Sequence, residues 1–120
     1  MQEQLYIFGF MVLLFVIGYM NSKAKTKELE KIPSDAVFID VRSPGEFKSG
    51  SIKGAVNIPV GDVAKDRQKI SDLIKGNHNR AIVVYCASGI RSKMAKKTLL
   101  NAGFTNVING GAYSHLVNRV

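Results

Sequence analysis

Two largely apolar runs, Ala36-Val37-Phe38-Ile39-Asp40-Val41 and Ala81-Ile82-Val83-Val84-Tyr85, constrain this chain most. They are rich in branched and aromatic residues and lack the in-out alternation of a half-solvated strand. Such runs fit strands buried on both faces of a parallel sheet. Helical patterns separate them. Ser43-Pro44-Gly45-Glu46 carries a capping serine, a proline at the first helical position and a glutamate at the third, which predicts a short helix to about Lys48. Ala55-Val56-Asn57-Ile58 reads as a second short strand, stopped by Pro59. Asp62 is placed to cap a helix on which Val63, Arg67, Ile70 and Ile74 recur at helical spacing, closed by Gly76. After Tyr85 a loop leads to a helix whose inner face is read as Met94, Ala95, Thr98, Leu99 and Ala102, ending at Gly103. Asn106-Val107-Ile108 is a last strand, and Gly110-Gly111 a turn into a brief C-terminal segment. With 120 residues there is room for one such domain. The expected class is α/β: a central, mainly parallel sheet flanked by helices. In such sheets chemistry gathers beyond the C-terminal strand ends, here at 40–42 and just after Tyr85.

Residues 5–20 (LYIFGFMVLLFVIGYM) are sixteen residues without a charge and hold five of the ten aromatic side chains. At 1.5 Å per residue they span roughly 24 Å as a helix, short of a hydrocarbon core of about 30 Å. Gln4, Asn21 and Ser22 can extend the span into the interface. A core helix would carry a polar stripe, which this segment lacks. Two readings remain. Ser22-Lys23-Ala24 offers the small residues of a signal-peptidase site, with release into the cell envelope after Ala24. Against this, the first four residues carry an acid and no basic side chain, whereas Lys23, Lys25, Lys27 and Lys31 follow the apolar stretch. A basic flank on that side stays in the cytoplasm. The favoured expectation is a single-pass anchor (1–22), a juxtamembrane linker (23–31) and a domain (32–120) on the cytoplasmic side.

The formal net charge is +8, and from Ile32 onward thirteen Lys and Arg face six Asp and Glu, so +7 belongs to the domain. That balance favours anionic partners. The basic residues are scattered and form no groove-reading motif, so nucleic acid is not expected. Cys86 is the sole cysteine, which excludes an internal disulfide.

A lone cysteine is usually a small buried hydrophobe. Cys86 differs in position. It ends the strongest strand and opens Cys86-Ala87-Ser88-Gly89-Ile90-Arg91-Ser92, a run of mostly small residues before a basic helix. Gly89 allows the loop to curl, turning backbone N–H groups inward as an anion cradle. The helix start and the Arg91 charge both favour thiolate, the nucleophilic form. Lys93 follows on the helix, while Lys96 and Lys97 read better as a solvated face.

Four ordered segments resemble the rhodanese-like family. They are Asp40-Val41-Arg42 with Glu46-Phe47; Gly50-Ser51-Ile52-Lys53-Gly54-Ala55-Val56-Asn57-Ile58-Pro59; the Cys86 loop; and Gly103-Phe104-Thr105-Asn106-Val107 with Gly110-Gly111. The resemblance implies a small α/β domain acting as a thiosulfate sulfurtransferase. Cys86 would carry a sulfane sulfur as a persulfide, from an anionic donor such as thiosulfate to cyanide or a protein thiol, with no metal or other cofactor. Ala87, Ser88, Gly89, Ile90 and Arg91 would cradle the persulfide, Arg91 also holding the loop and the donor. Asp40, Arg42, Glu46 and Ser92 would be structural neighbours, with Arg42 pairing to Glu46 and Asp40 accepting backbone hydrogen bonds. The sequence departs from the family pattern at Ser51, where histidine is common, and in its shortened ends. Phosphatases and arsenate reductases of related fold use Cys-x5-Arg; the spacing here is Cys-x4-Arg, a smaller cradle without an acidic residue. A non-catalytic, membrane-tethered binding module of the same fold is the alternative.

Overall fold

The computed structural model describes residues 30–120, together with Val12 in a helix. Contacts divide the chain after Glu30, and the unit described is Lys31–Val120. The 5–20 stretch, apart from Val12, lies outside the described residues. Among those described, no helix is long and apolar enough to cross a membrane.

The elements alternate as the apolar runs require. Strand β1 is Val37–Asp40, helix α1 Pro44–Lys48, strand β2 Val56–Asn57, helix α2 Arg67–Leu73, strand β3 Ile82–Cys86, helix α3 Ile90–Asn101, strand β4 Val107–Ala112 and helix α4 Tyr113–Leu116. The four strands form one sheet in the order β2-β1-β3-β4, and all three neighbouring pairs are parallel. β3 is central and every residue in it is buried.

Side chains alternate across a strand, so each face gathers its own core. Ile39, Ile82, Val84 and Cys86 lie on one face with Val63, Ile70 and Ile74 from the α2 region and with Ala95 and Leu99 of α3. Val83 and Tyr85 lie on the other with Ile52, Ile108 and Leu116. Cys86 therefore points to the side that α3 covers.

Three local expectations are corrected. The second helix begins at Arg67, and Val60–Asp62 is a 3-10 turn instead. The Asp62 carboxylate reaches Lys65 at 3.1 Å and caps nothing. The Gly110-Gly111 pair does not turn the chain. β4 continues to Ala112 across a bulge, with Gly111 beside Tyr85 and Ala112 beside Cys86. Gly110 makes this possible because a Cβ there would lie 2.9 Å from the Val83 side chain and 3.2 Å from the Val84 carbonyl. Finally, the inner face of α3 is Ser92, Ala95 and Leu99, while Met94 turns outward and is 58% exposed.

Candidate active site

Cys86 ends β3 under the N-terminus of α3, as strand period and loop length together dictate. Gly89 adopts the left-handed conformation (φ 97°) at the N-cap of α3, where a side chain would be strained. That turn aims N–H groups at the sulfur. Gly89 N–H donates to Sγ at 2.9 Å and Ser92 N–H at 3.4 Å. The Cys86 thiol donates to the Ser92 hydroxyl at 3.5 Å, and that hydroxyl donates to the Gly89 carbonyl at 3.0 Å, which closes the loop on itself. Both Cys86 and Ser92 are fully buried, while Ala87, Ser88 and Ile90 are exposed. Gly111 of the bulged strand packs against the loop: a Cβ on Gly89 would meet its Cα at 3.7 Å.

Burial pushes the Cys86 thiol up. The Ser92 hydroxyl and the N–H groups of Ser92, Gly89 and Ser88 pull it down further, so its pKa lies below the ordinary cysteine value. These groups belong to the loop and the helix start. Arg91 acts on the sulfur through its charge alone, and its hydrogen bonds go elsewhere. Its two terminal nitrogens bind both carboxylate oxygens of Glu46, at 2.7 and 2.9 Å. Such a fork-to-fork pair fixes geometry as well as charge. Arg91 holds the loop to α1.

A depressed pKa means that thiolate persists as pH falls below the value for free cysteine, about 8.5. Because the sulfur is buried, ultraviolet thiolate absorbance is a better probe than an alkylating reagent. With Cys86→Ser as the blank, the titration midpoint is expected below that value. A midpoint at or above it would show that burial outweighs the loop donors.

Glu46 serves twice. Its side chain accepts from the Ser43 N–H at 3.2 Å while the Ser43 hydroxyl accepts from the Glu46 N–H at 3.3 Å, completing the predicted capping box. Hydrogen bonding to Arg91 and then to Ser43 holds the Glu46 carboxyl down at about 2. The expected Arg42–Glu46 pair does not form. Arg42 turns inward to Asp40, its Nη2 at 2.7 Å and its Nε at 3.0 Å from the two carboxylate oxygens. It also donates to the Gly50 carbonyl at 2.6 Å and lies 4.6 Å from the centre of the Tyr113 ring. Asp40 accepts the Arg42 N–H at 2.9 Å. Four-residue pairing belongs to residues on one helix, and Arg42 precedes the cap of α1, so the rule has no hold on it.

Two contributors escaped the sequence reading. Asn57 donates to the carbonyls of Asp40 and Arg42 at 3.0 and 2.9 Å, clamping the end of β1. A lone amide in an otherwise apolar four-residue strand was the available signal. Tyr113 stacks near Tyr85 with ring centres 6.0 Å apart and roofs Arg42. Nothing local announces that role. Among the described residues no cluster of three or more His, Cys, Asp and Glu could hold a metal ion.

This arrangement can stabilise negative charge on a buried sulfur at the mouth of a helix. A family model described as a rhodanese-like domain matches residues 25–113. A putative mitochondrial thiosulfate sulfurtransferase of Schizosaccharomyces pombe is 38% identical over 96 residues, spanning 71% of this chain and 67% of the relative. A tRNA uridine(34) hydroxylase of Buchnera aphidicola is 33% identical over 100 residues, covering 82% of this chain but 31% of its own. This chain thus spans only about a third of that hydroxylase's length. Among solved structures, a rhodanese with anions from E. coli aligns with a TM-score of 0.59 and 33% identity, over 66% of this chain and 88% of the other.

Proposed function

Because the chain belongs to the rhodanese-like sulfurtransferase family, we propose that Cys86 carries a sulfane sulfur from an anionic donor such as thiosulfate to a thiol or cyanide acceptor. In the first step the Cys86 thiolate attacks the outer sulfur of thiosulfate. A bond forms between Sγ and that sulfur, the sulfur–sulfur bond of thiosulfate breaks, and sulfite leaves with the electron pair. In the second step the acceptor attacks the carried sulfur, and the electron pair of the breaking bond returns to Sγ. Both steps need a stable thiolate, one as nucleophile and the other as leaving group. The observation that carries this reading is the pair of N–H donors on Sγ, from Gly89 at 2.9 Å and Ser92 at 3.4 Å. Fixed donors favour the anion without reorganising during reaction. Arg91, held by Glu46, positions the loop that supplies them.

Intact-mass measurement after exposure to thiosulfate tests the first step. One added sulfur, mapped to Cys86, is expected. No added mass would leave the non-catalytic binding module as the better reading.

We also propose that residues 5–20 anchor the protein in a membrane with the domain on the cytoplasmic side. The support is the uncharged run itself and the lysines after it. At roughly 25 cal/mol for each apolar Å² removed from water, a bilayer is strongly preferred to solvent. The full chain is expected to sediment with membranes and to resist carbonate extraction. Protease should spare the domain in intact spheroplasts. An N-terminus at Lys25 on sequencing the native protein would replace the anchor by a cleaved signal.

A further inference from the structure

The outward face of α3 is chemically unlike the rest of the helix. Ile90 is 69% exposed, Met94 58% and Leu100 45%. Lys93 and Lys97 are exposed too and interleave with them at three- and four-residue spacing, so all five share one side of the helix. α3 contains no acidic residue. The ion pairs among the described residues join Arg42 to Asp40, Lys65 to Asp62 and Arg91 to Glu46. Lys93, Lys96 and Lys97 have no acidic partner in that set. The stripe starts at the sulfur, since Ile90 directly follows Gly89, whose N–H holds Sγ.

We propose that this face is the docking surface for the sulfur acceptor, and that the acceptor is a protein thiol set in an acidic surface with an apolar residue beside the cysteine. The proposal rests on the sulfur-carrier reading and adds the class of acceptor. Cyanide needs no apolar contact to receive sulfur. A protein does: apolar anchors ringed by charge are how interfaces combine affinity with orientation. Ile90 and Met94 supply the anchors, and methionine adapts to varied partners. Lys93 and Lys97 supply the charge that attracts an acidic partner and repels a basic one. The docked thiolate attacks the outer sulfur of the Cys86 persulfide. A new sulfur–sulfur bond forms on the acceptor, the bond to Sγ breaks, and Sγ leaves as thiolate toward the Gly89 and Ser92 N–H groups. A basic apolar helix face also suits an anionic lipid surface. Lying on lipid would press the Cys86 loop against headgroups and close it to a protein acceptor, so a lipid-bound face would not serve sulfur transfer.

The test uses the full chain in detergent, loaded with labelled sulfur from thiosulfate. Two cysteine peptides of equal length serve as acceptors, one with leucine and glutamates around the cysteine, the other with leucine and lysines. At low salt the acidic peptide is expected to take sulfur about tenfold faster, and in 1 M salt, where the Debye length is about 3 Å, the two should converge. Met94→Ser and Lys97→Glu should each slow transfer to the acidic peptide severalfold and leave transfer to cyanide within about twofold. If Cys86 takes up no sulfur, the carrier reading fails and the docking proposal with it. If Cys86 loads but the peptides react alike, or the variants act equally on cyanide, only the docking proposal is overturned. Suppression of peptide transfer in nanodiscs of anionic lipid, but not in zwitterionic ones, would overturn it in favour of a lipid-bound face.

Discussion

Cys86→Ser is expected to abolish sulfur transfer and leave the domain folded. Serine at neutral pH is an alcohol, a poor nucleophile that cannot hold a persulfide. A loss of at least about a thousandfold in thiosulfate:cyanide transfer is expected, down to background. The folding cost is small by comparison. The smaller oxygen still meets the Gly89 and Ser92 N–H groups that bind Sγ, so burying it should cost roughly 1–2 kcal/mol. Thiocyanate formation and a thermal unfolding curve on the same sample separate the two effects. Substantial transfer by a folded variant would remove Cys86 from the mechanism.

Asp40→Ala should act in the opposite sense, on stability before chemistry. Asp40 is fully buried and Arg42 is 6% exposed. Removing the carboxylate leaves a guanidinium in the core facing the Gly50 carbonyl and the rings of Tyr113 and Tyr85, none of which carries a charge. Breaking a buried pair from one side costs about 3–5 kcal/mol, because the surviving charge remains uncompensated. That is a large share of the 5–15 kcal/mol that holds a typical domain together. The domain is expected to unfold at markedly lower urea. The double variant Asp40→Ala with Arg42→Met removes both charges and should recover much of the loss. A double variant no better than the single would show that Arg42 matters for its hydrogen bond to Gly50 and its contact with Tyr113 rather than for its charge balance.

These residues mark where local reading stops. The capping box at Ser43 and Glu46, the strand ending at Cys86 and the glycine that curls its loop were all legible in the sequence. Each depends on neighbours within a few residues, whose geometry follows from backbone sterics and hydrogen-bond spacing. The partners of the charged groups were not legible. Spacing pairs Arg42 with Glu46, yet Glu46 binds Arg91, forty-five residues away, and Arg42 binds Asp40. The glycine pair at 110–111 illustrates the same limit. Its dihedral freedom was evident, but a turn and a bulge use that freedom equally. Pairing with β3 selected the bulge, and with it the packing of Gly111 against Gly89. Met94 fits an inward face by helical period yet is exposed, because the period locates a face without saying which neighbour will cover it.

The chain by itself determined the alternation of buried strands and helices and the place of Cys86 at a strand end before a curled loop, because apolar runs, caps and glycine dihedrals act over a single turn or strand. Only the tertiary structure decided which charges meet, what holds the Cys86 loop in place and which side of α3 faces solvent. The Glu46–Arg91 pair joins residues forty-five apart, which only the chain crossover brings within hydrogen-bond range, and Arg42 turns to Asp40 where packing buries it against Gly50 and Tyr113.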